Sequence, residues 1–99
     1  MPRLTLSPRS HADLIEIWSY IADDSEANAD AFIDKLDAVL RMLVQQPGTG
    51  RRREDLAFGI RSFPVGRYMV FYRSSERTVE IVRVLHAARN IEPLFEEDD

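Results

Sequence analysis

Ile60-Arg61-Ser62-Phe63-Pro64-Val65-Gly66-Arg67-Tyr68-Met69-Val70-Phe71-Tyr72 decides the fold, because a period of two replaces a helical period there. Ile60 and Ser62 alternate with Arg61 and Phe63, and Pro64-Val65-Gly66 supplies turn chemistry. Tyr68 to Tyr72 then reads as the most buried strand of the chain. Within it Tyr68, Val70 and Tyr72 share one face, whereas Met69 and Phe71 take the other. Ser74-Ser75-Glu76-Arg77 reads as a hairpin loop, and Thr78 to Leu85, rich in β-branched residues, as the next strand. Ala87 to Phe95 reads as one helical turn or a loop.

Upstream of that stretch the pattern is helical. Arg3-Leu4-Thr5-Leu6 alternates as a short strand, after which Ser7 offers an N-cap and Pro8 fits the first helical position. Asp13 and Glu16 favour the early turns, and Leu14, Ile17, Trp18 and Ile21 form one apolar face, with Trp18 read as core. Asp23-Asp24-Ser25 interrupts the pattern, and Asp24 or Ser25 caps a second helix with the core face Phe32, Leu36, Val39 and Leu43. Gln46-Pro47-Gly48 ends it. Arg51 to Asp55 reads as a charged connector. The expected fold is therefore α+β in the order β-αα-βββ, an antiparallel sheet packed against an N-terminal antiparallel helix hairpin. One domain over residues 1–95 and an acidic, disordered tail over residues 96–99 complete the organisation.

Composition narrows the chemistry. Ninety-nine residues allow one domain, and the absence of cysteine excludes disulfides and thiol chemistry. His11 and His86 lie too far apart for a local metal motif, so no metal and no cofactor is expected. No apolar run reaches membrane length and none precedes Ser7 as a leader, which predicts an unexported, cytoplasmic protein without membrane contact. The net charge of −4 divides unevenly: residues 1–48 carry −4, residues 49–95 carry +4 with every basic residue an arginine, and the tail returns −4. An arginine surface suits carboxylate or phosphate, hence an acidic protein partner or a nucleic acid.

The four glycines match no phosphate-cradle spacing. Pro47-Gly48-Thr49-Gly50 reads as a helix stop more readily than as an anion nest. One constellation stands out: Arg83, His86 and Arg89 at the end of the last strand, with Arg61 and Arg67 flanking the turn. A histidine among arginines suits acid/base cleavage of RNA, the arginines stabilising the phosphorane. It suits more readily a strand end whose histidine bonds a loop carbonyl. Tyr68 and Tyr72 suit base stacking on an open sheet, or packing against a helix or partner peptide.

The order of elements, together with Leu6-Ser7-Pro8-Arg9-Ser10-His11-Ala12-Asp13-Leu14, resembles the ParE/RelE family of bacterial type II toxins. Gln46 to Arg51, Gly59 to Tyr68 and Val70 to Arg73 strengthen the likeness, and Ile81 to Asn90 is similar to the ending of the ParE branch. The resemblance implies a toxin neutralised by a cognate ParD-like antitoxin in a hetero-oligomer, with DNA gyrase as target and no direct DNA binding by the toxin alone. The alternative it implies is a RelE-like, ribosome-dependent mRNA endonuclease using Arg67, Arg83, His86 and Arg89. Against that stand the absence of lysine in the C-terminal half and of tyrosine after Tyr72. Asn90 and Ala87 replace the aspartate and glycine usual in the ParE ending. On this reading Arg61, Arg67, Tyr68 and Tyr72 meet the antitoxin, and Arg83, His86 and Arg89 meet the target. A toxin that has lost its target and binds only its antitoxin is the third possibility.

Overall fold

The computed structural model describes residues 2–96; residues 97–99 of the expected tail lie outside the described residues. The order is β1 (Arg3–Leu6), α1 (Pro8–Ala22), α2 (Glu26–Gln45), β2 (Arg51–Arg52), β3 (Ile60–Val65), β4 (Tyr68–Ser74), β5 (Thr78–His86) and α3 (Glu92–Glu96). Both long helices begin as their sequences suggest. The Ser7 hydroxyl accepts from the Ser10 N–H at 3.0 Å with Pro8 next in line, and Ser25 accepts from the Asn28 N–H at 3.1 Å. A 3-10 turn at Pro47–Thr49 follows α2.

The strands form one sheet in the order β1-β5-β4-β3-β2. β2 to β5 pair antiparallel, whereas β1 pairs parallel with β5. The parallel edge follows from the element order, since each connection reverses the chain and an even number of reversals separates β1 from β5. β2 replaces part of the expected connector. Arg51 and Arg52 pair with Ser62 and Arg61 and are exposed, so they carry no apolar signal of a strand. The β3–β4 turn falls at Gly66-Arg67, not Pro64-Val65-Gly66, because Val65 pairs with Tyr68 and Gly66 takes the positive φ of 58° that a two-residue hairpin needs. Pro64 sits beyond the reach of β2, where β3 is itself an edge and a missing N–H costs little.

Each sheet face has its own apolar cluster. Leu36, Leu40 and Leu43 of α2 and Ile17 of α1 cover Val65, Val70, Tyr72, Val79, Ile81 and Val84 on one face. On the other, Phe95 of α3 joins Ile60, Phe71 and Leu85, and its ring meets Phe71 edge-on at 5.1 Å. Trp18 is not core. It is half-buried between the helices, and its indole N–H donates to Asp30 at 2.9 Å.

β5 departs from strict alternation in a way that builds the site. Tyr72 pairs with Ile81 but Phe71 pairs with Arg83, so Val82 is the extra residue of a β-bulge. Continued alternation from Val79 and Ile81 would turn Arg83 and Leu85 toward the helices. The bulge keeps Arg83 on the side of α1 but moves Leu85 to the other face, so that Val84 and His86 join the helix side, opposite Val70 and Tyr68. The backbone groups that the bulge frees are taken up by the start of α1. Ser7 Oγ donates to the Val82 carbonyl at 2.7 Å, and the Asp13 carboxylate accepts from the Val84 N–H at 3.0 Å.

Candidate functional site

Where α1 faces the ends of β4 and β5, an open groove of about 540 Å³ lies between them. Its helical wall is the stripe Asp13, Glu16, Ile17, Tyr20 and Ile21, spaced to share one face of α1. The opposite wall carries Arg67, Tyr68, Val84, His86 and Arg89, and Phe32 of α2 contributes to the lining. Phe32, Tyr68 and His86 form a run of rings, with centroids 5.1 Å apart for the first pair and 5.3 Å for the second, which meets edge-on. Burial pushes the Tyr68 phenol above its ordinary value, and Tyr20 adds to the shift.

The arginine-bearing rim is tied down by main chain. The Ala87 N–H donates to the Arg67 carbonyl at 2.9 Å and the Arg89 N–H to the His86 carbonyl at 3.0 Å. His86 Nδ1 accepts from the Ala88 N–H at 3.1 Å, so in the neutral ring the proton sits on Nε2. The loop therefore gives this histidine a donor, where the sequence suggested a carbonyl acceptor. The resulting surface has an apolar floor, cations on one rim and Glu16 on the other, which suits an amphipathic segment.

The sequence-selected residues divide into two groups. Arg67, Tyr68, His86 and Arg89 meet in the groove. Arg61 and Tyr72 do not: Arg61 is half-buried and Tyr72 is buried, and both are held by main chain. Tyr72 is fully buried; its hydroxyl donates to the Pro47 carbonyl at 2.7 Å and accepts from the Gly50 N–H at 2.8 Å. Arg61 Nη1 donates to the Gly50 carbonyl at 2.8 Å and the Gly48 carbonyl at 3.3 Å. Two polar side chains of the sheet thus fasten the end of α2, and the Pro47-Gly48-Thr49-Gly50 segment read as a helix stop holds a phenol. Burial raises the Tyr72 pKa, the Gly50 N–H opposing it.

Arg83 is also turned inward. Its Nε and Nη2 donate to the two oxygens of Asp13 at 2.8 and 3.0 Å, and both side chains are more than nine-tenths buried. Asp13, read from sequence as a helix-start charge, is instead the buried counterion that binds α1 to β5. The pair and the Val84 N–H together satisfy the carboxylate, as burial of a charge demands. Among the described residues no cluster of three or more His, Asp or Glu side chains is arranged to hold a metal ion. None of the described helices is long and apolar enough to cross a membrane.

The family model for the ParE toxin of the type II toxin-antitoxin system, parDE, matches residues 4–91. The chain belongs to the ParE toxin family. Toxin ParE1 of Caulobacter vibrioides is 41% identical over 87 residues, covering 86% of this chain and 88% of the relative. Toxin ParE1 of Mycobacterium tuberculosis is 30% identical over 92 residues, covering 91% and 94%. A chain from a solved structure titled "Chromosomal ParDE TA system from P. aeruginosa" shares the fold, with a TM-score of 0.73 at 19% identity over 87% of this chain and 96% of that one. In this ParE-family toxin the groove residues that sequence reasoning passed over are Glu16, Tyr20 and Phe32. The signal was present for the first two, since Glu16 and Tyr20 sit at helical spacing beside Ile17 and Ile21.

Proposed function

We propose that this ParE-family toxin blocks DNA gyrase and is held inactive by a ParD-type antitoxin, an acidic amphipathic segment of which seats in the groove. The observation that carries the reading is the groove itself: an apolar, aromatic floor with Arg67 and Arg89 on its rim. Paired carboxylates on such a rim contribute more to steering and specificity than to raw affinity. The mRNA-endonuclease reading has less support. Of its four residues Arg83 is engaged by Asp13, His86 uses Nδ1 within its own loop, and both sheet faces are covered where bases would stack.

The test is a supercoiling assay of the antitoxin-free protein with gyrase, ATP and relaxed plasmid. Blocked supercoiling or accumulated linear plasmid is expected, with activity restored by one equivalent of antitoxin. Normal supercoiling by gyrase in the presence of folded toxin would reject the gyrase assignment. His86→Gln separates the two chemistries: toxicity survives if the protein acts by binding, and disappears with the fold intact if His86 cleaves RNA.

A further inference from the structure

We propose that the β1 edge is a self-association surface, on which β1 of a second copy pairs antiparallel across a two-fold axis and joins two sheets into one. β1 ends the sheet and is hydrogen-bonded only toward β5, the Arg3 N–H donating to the Arg77 carbonyl at 2.8 Å and the Ser7 N–H to the Ile81 carbonyl at 2.9 Å. Strand alternation then turns the N–H and C=O groups of Leu4 and Leu6 outward, where an added strand would bond them. The two residues are 38% and 37% exposed, though both lie on the helix-covered face.

The two edges of the sheet differ in protection. The β2 edge is two arginines long and continues into Pro64, whereas β1 carries one charge, Arg3 at its start, and then reads Leu4-Thr5-Leu6. Native proteins guard exposed strand edges, so the uncharged Leu4-Thr5-Leu6 run, the less guarded of the two edges, points to a partner.

The occupant follows from the charges beside the edge. Asp37, Arg41, Val44 and Gln45 of α2 form, with Leu4, a shallow groove of about 370 Å³ along it. Asp37 and Arg41 make an exposed i,i+4 pair at 2.8 Å, with side chains 53% and 76% accessible, which contributes little within one chain. The groove therefore has no net charge to attract a strongly acidic or basic partner. It is self-complementary: two-fold symmetry sets Asp37 of each copy toward Arg41 of the other. One short strand and one helix stripe make a small interface, so the dimer is weak.

Sedimentation velocity of the antitoxin-free chain, run over a wide concentration range, tests this. The expected result is a sedimentation coefficient that rises toward the dimer value with concentration. Leu4→Lys and Arg41→Asp each hold the protein monomeric, and the exchanged pair Asp37→Arg with Arg41→Asp restores the dimer. Hydrogen exchange on the unaltered chain is the check that needs no variant, with the Leu4 and Leu6 amides gaining protection as concentration rises. A wild-type chain that stays monomeric throughout overturns the proposal, as does dimerisation unaffected by Leu4→Lys and Arg41→Asp. Loss of antitoxin binding by Leu4→Lys without any wild-type dimer would also overturn it, and would assign the edge to the antitoxin.

Discussion

The β3–β4 hairpin carries two arginine–tyrosine pairs, Arg61 with Tyr72 across its strands and Arg67 with Tyr68 at its turn, and the two have opposite fates. Arg61 and Tyr72 point into the segment that ends α2, where they bind the Pro47, Gly48 and Gly50 main chain. Arg67 and Tyr68 lie at the far end of the hairpin, where α1 leaves a groove rather than a covering turn. The residue types are alike; their place in the hairpin and what lies above them differ. The Tyr72 hydroxyl is taken up by Pro47 and Gly50 and Arg61 Nη1 by Gly48 and Gly50, so the first pair should govern stability and the second recognition.

Substitutions sharpen that contrast. The largest loss of stability is expected at the third inward residue, Arg83, through its counterion. Asp13→Ala leaves a buried guanidinium uncompensated and should cost about 3–5 kcal/mol in urea denaturation. Asp13→Leu combined with Arg83→Met should recover most of that loss. Gly50→Ala comes next, because a Cβ there would clash with the Tyr72 hydroxyl and sit 2.7 Å from its Cε1, inside a buried ring's space. About 1–3 kcal/mol is expected, read from the same denaturation midpoint.

Tyr72→Phe removes the hydroxyl that serves Gly50 N–H and Pro47 C=O, and should cost about 1–3 kcal/mol. It also changes the pH profile. The folded-state phenol has a raised pKa, so its contribution is complete below the ordinary value of 10.0 and declines as pH rises beyond it toward the folded-state value. Tyr72→Phe should therefore flatten the alkaline loss of stability, a change visible in melting temperatures measured on either side of that value. Tyr68 is shifted in the same direction and leaves a residual slope. The smallest stability effect belongs to the rim: Arg89→Glu should stay within about 0.5 kcal/mol of wild type, while antitoxin affinity falls about tenfold or more.

The fold was legible because its elements announce themselves locally. Ser7-Pro8 and Ser25 start the helices, the stripe Leu36, Leu40 and Leu43 fills the core, and the Gly66 turn joins two alternating strands. Two features were hidden for physical reasons. The Val82 bulge leaves no mark in a run of β-branched residues, yet it alone sets His86 beside Tyr68. The Asp13–Arg83 pair joins residues 70 positions apart, and neither residue type reveals burial by itself. Arg67, His86 and Arg89 could be chosen from sequence because they cluster at strand ends. Arg61 and Tyr72 looked equivalent, because nothing local says that the end of α2 will lie over them.

The central claim is that the groove, and not the Arg61–Tyr72 end, receives the antitoxin. Calorimetric titration of the antitoxin into Arg67→Glu and Arg61→Met proteins, at moderate salt and with denaturation midpoints measured on the same samples, tests it most directly. The account predicts that Arg67→Glu keeps its midpoint and loses affinity about tenfold or more, while Arg61→Met loses stability and keeps affinity. Unchanged affinity in folded Arg67→Glu, with the loss falling on Arg61→Met instead, would contradict it.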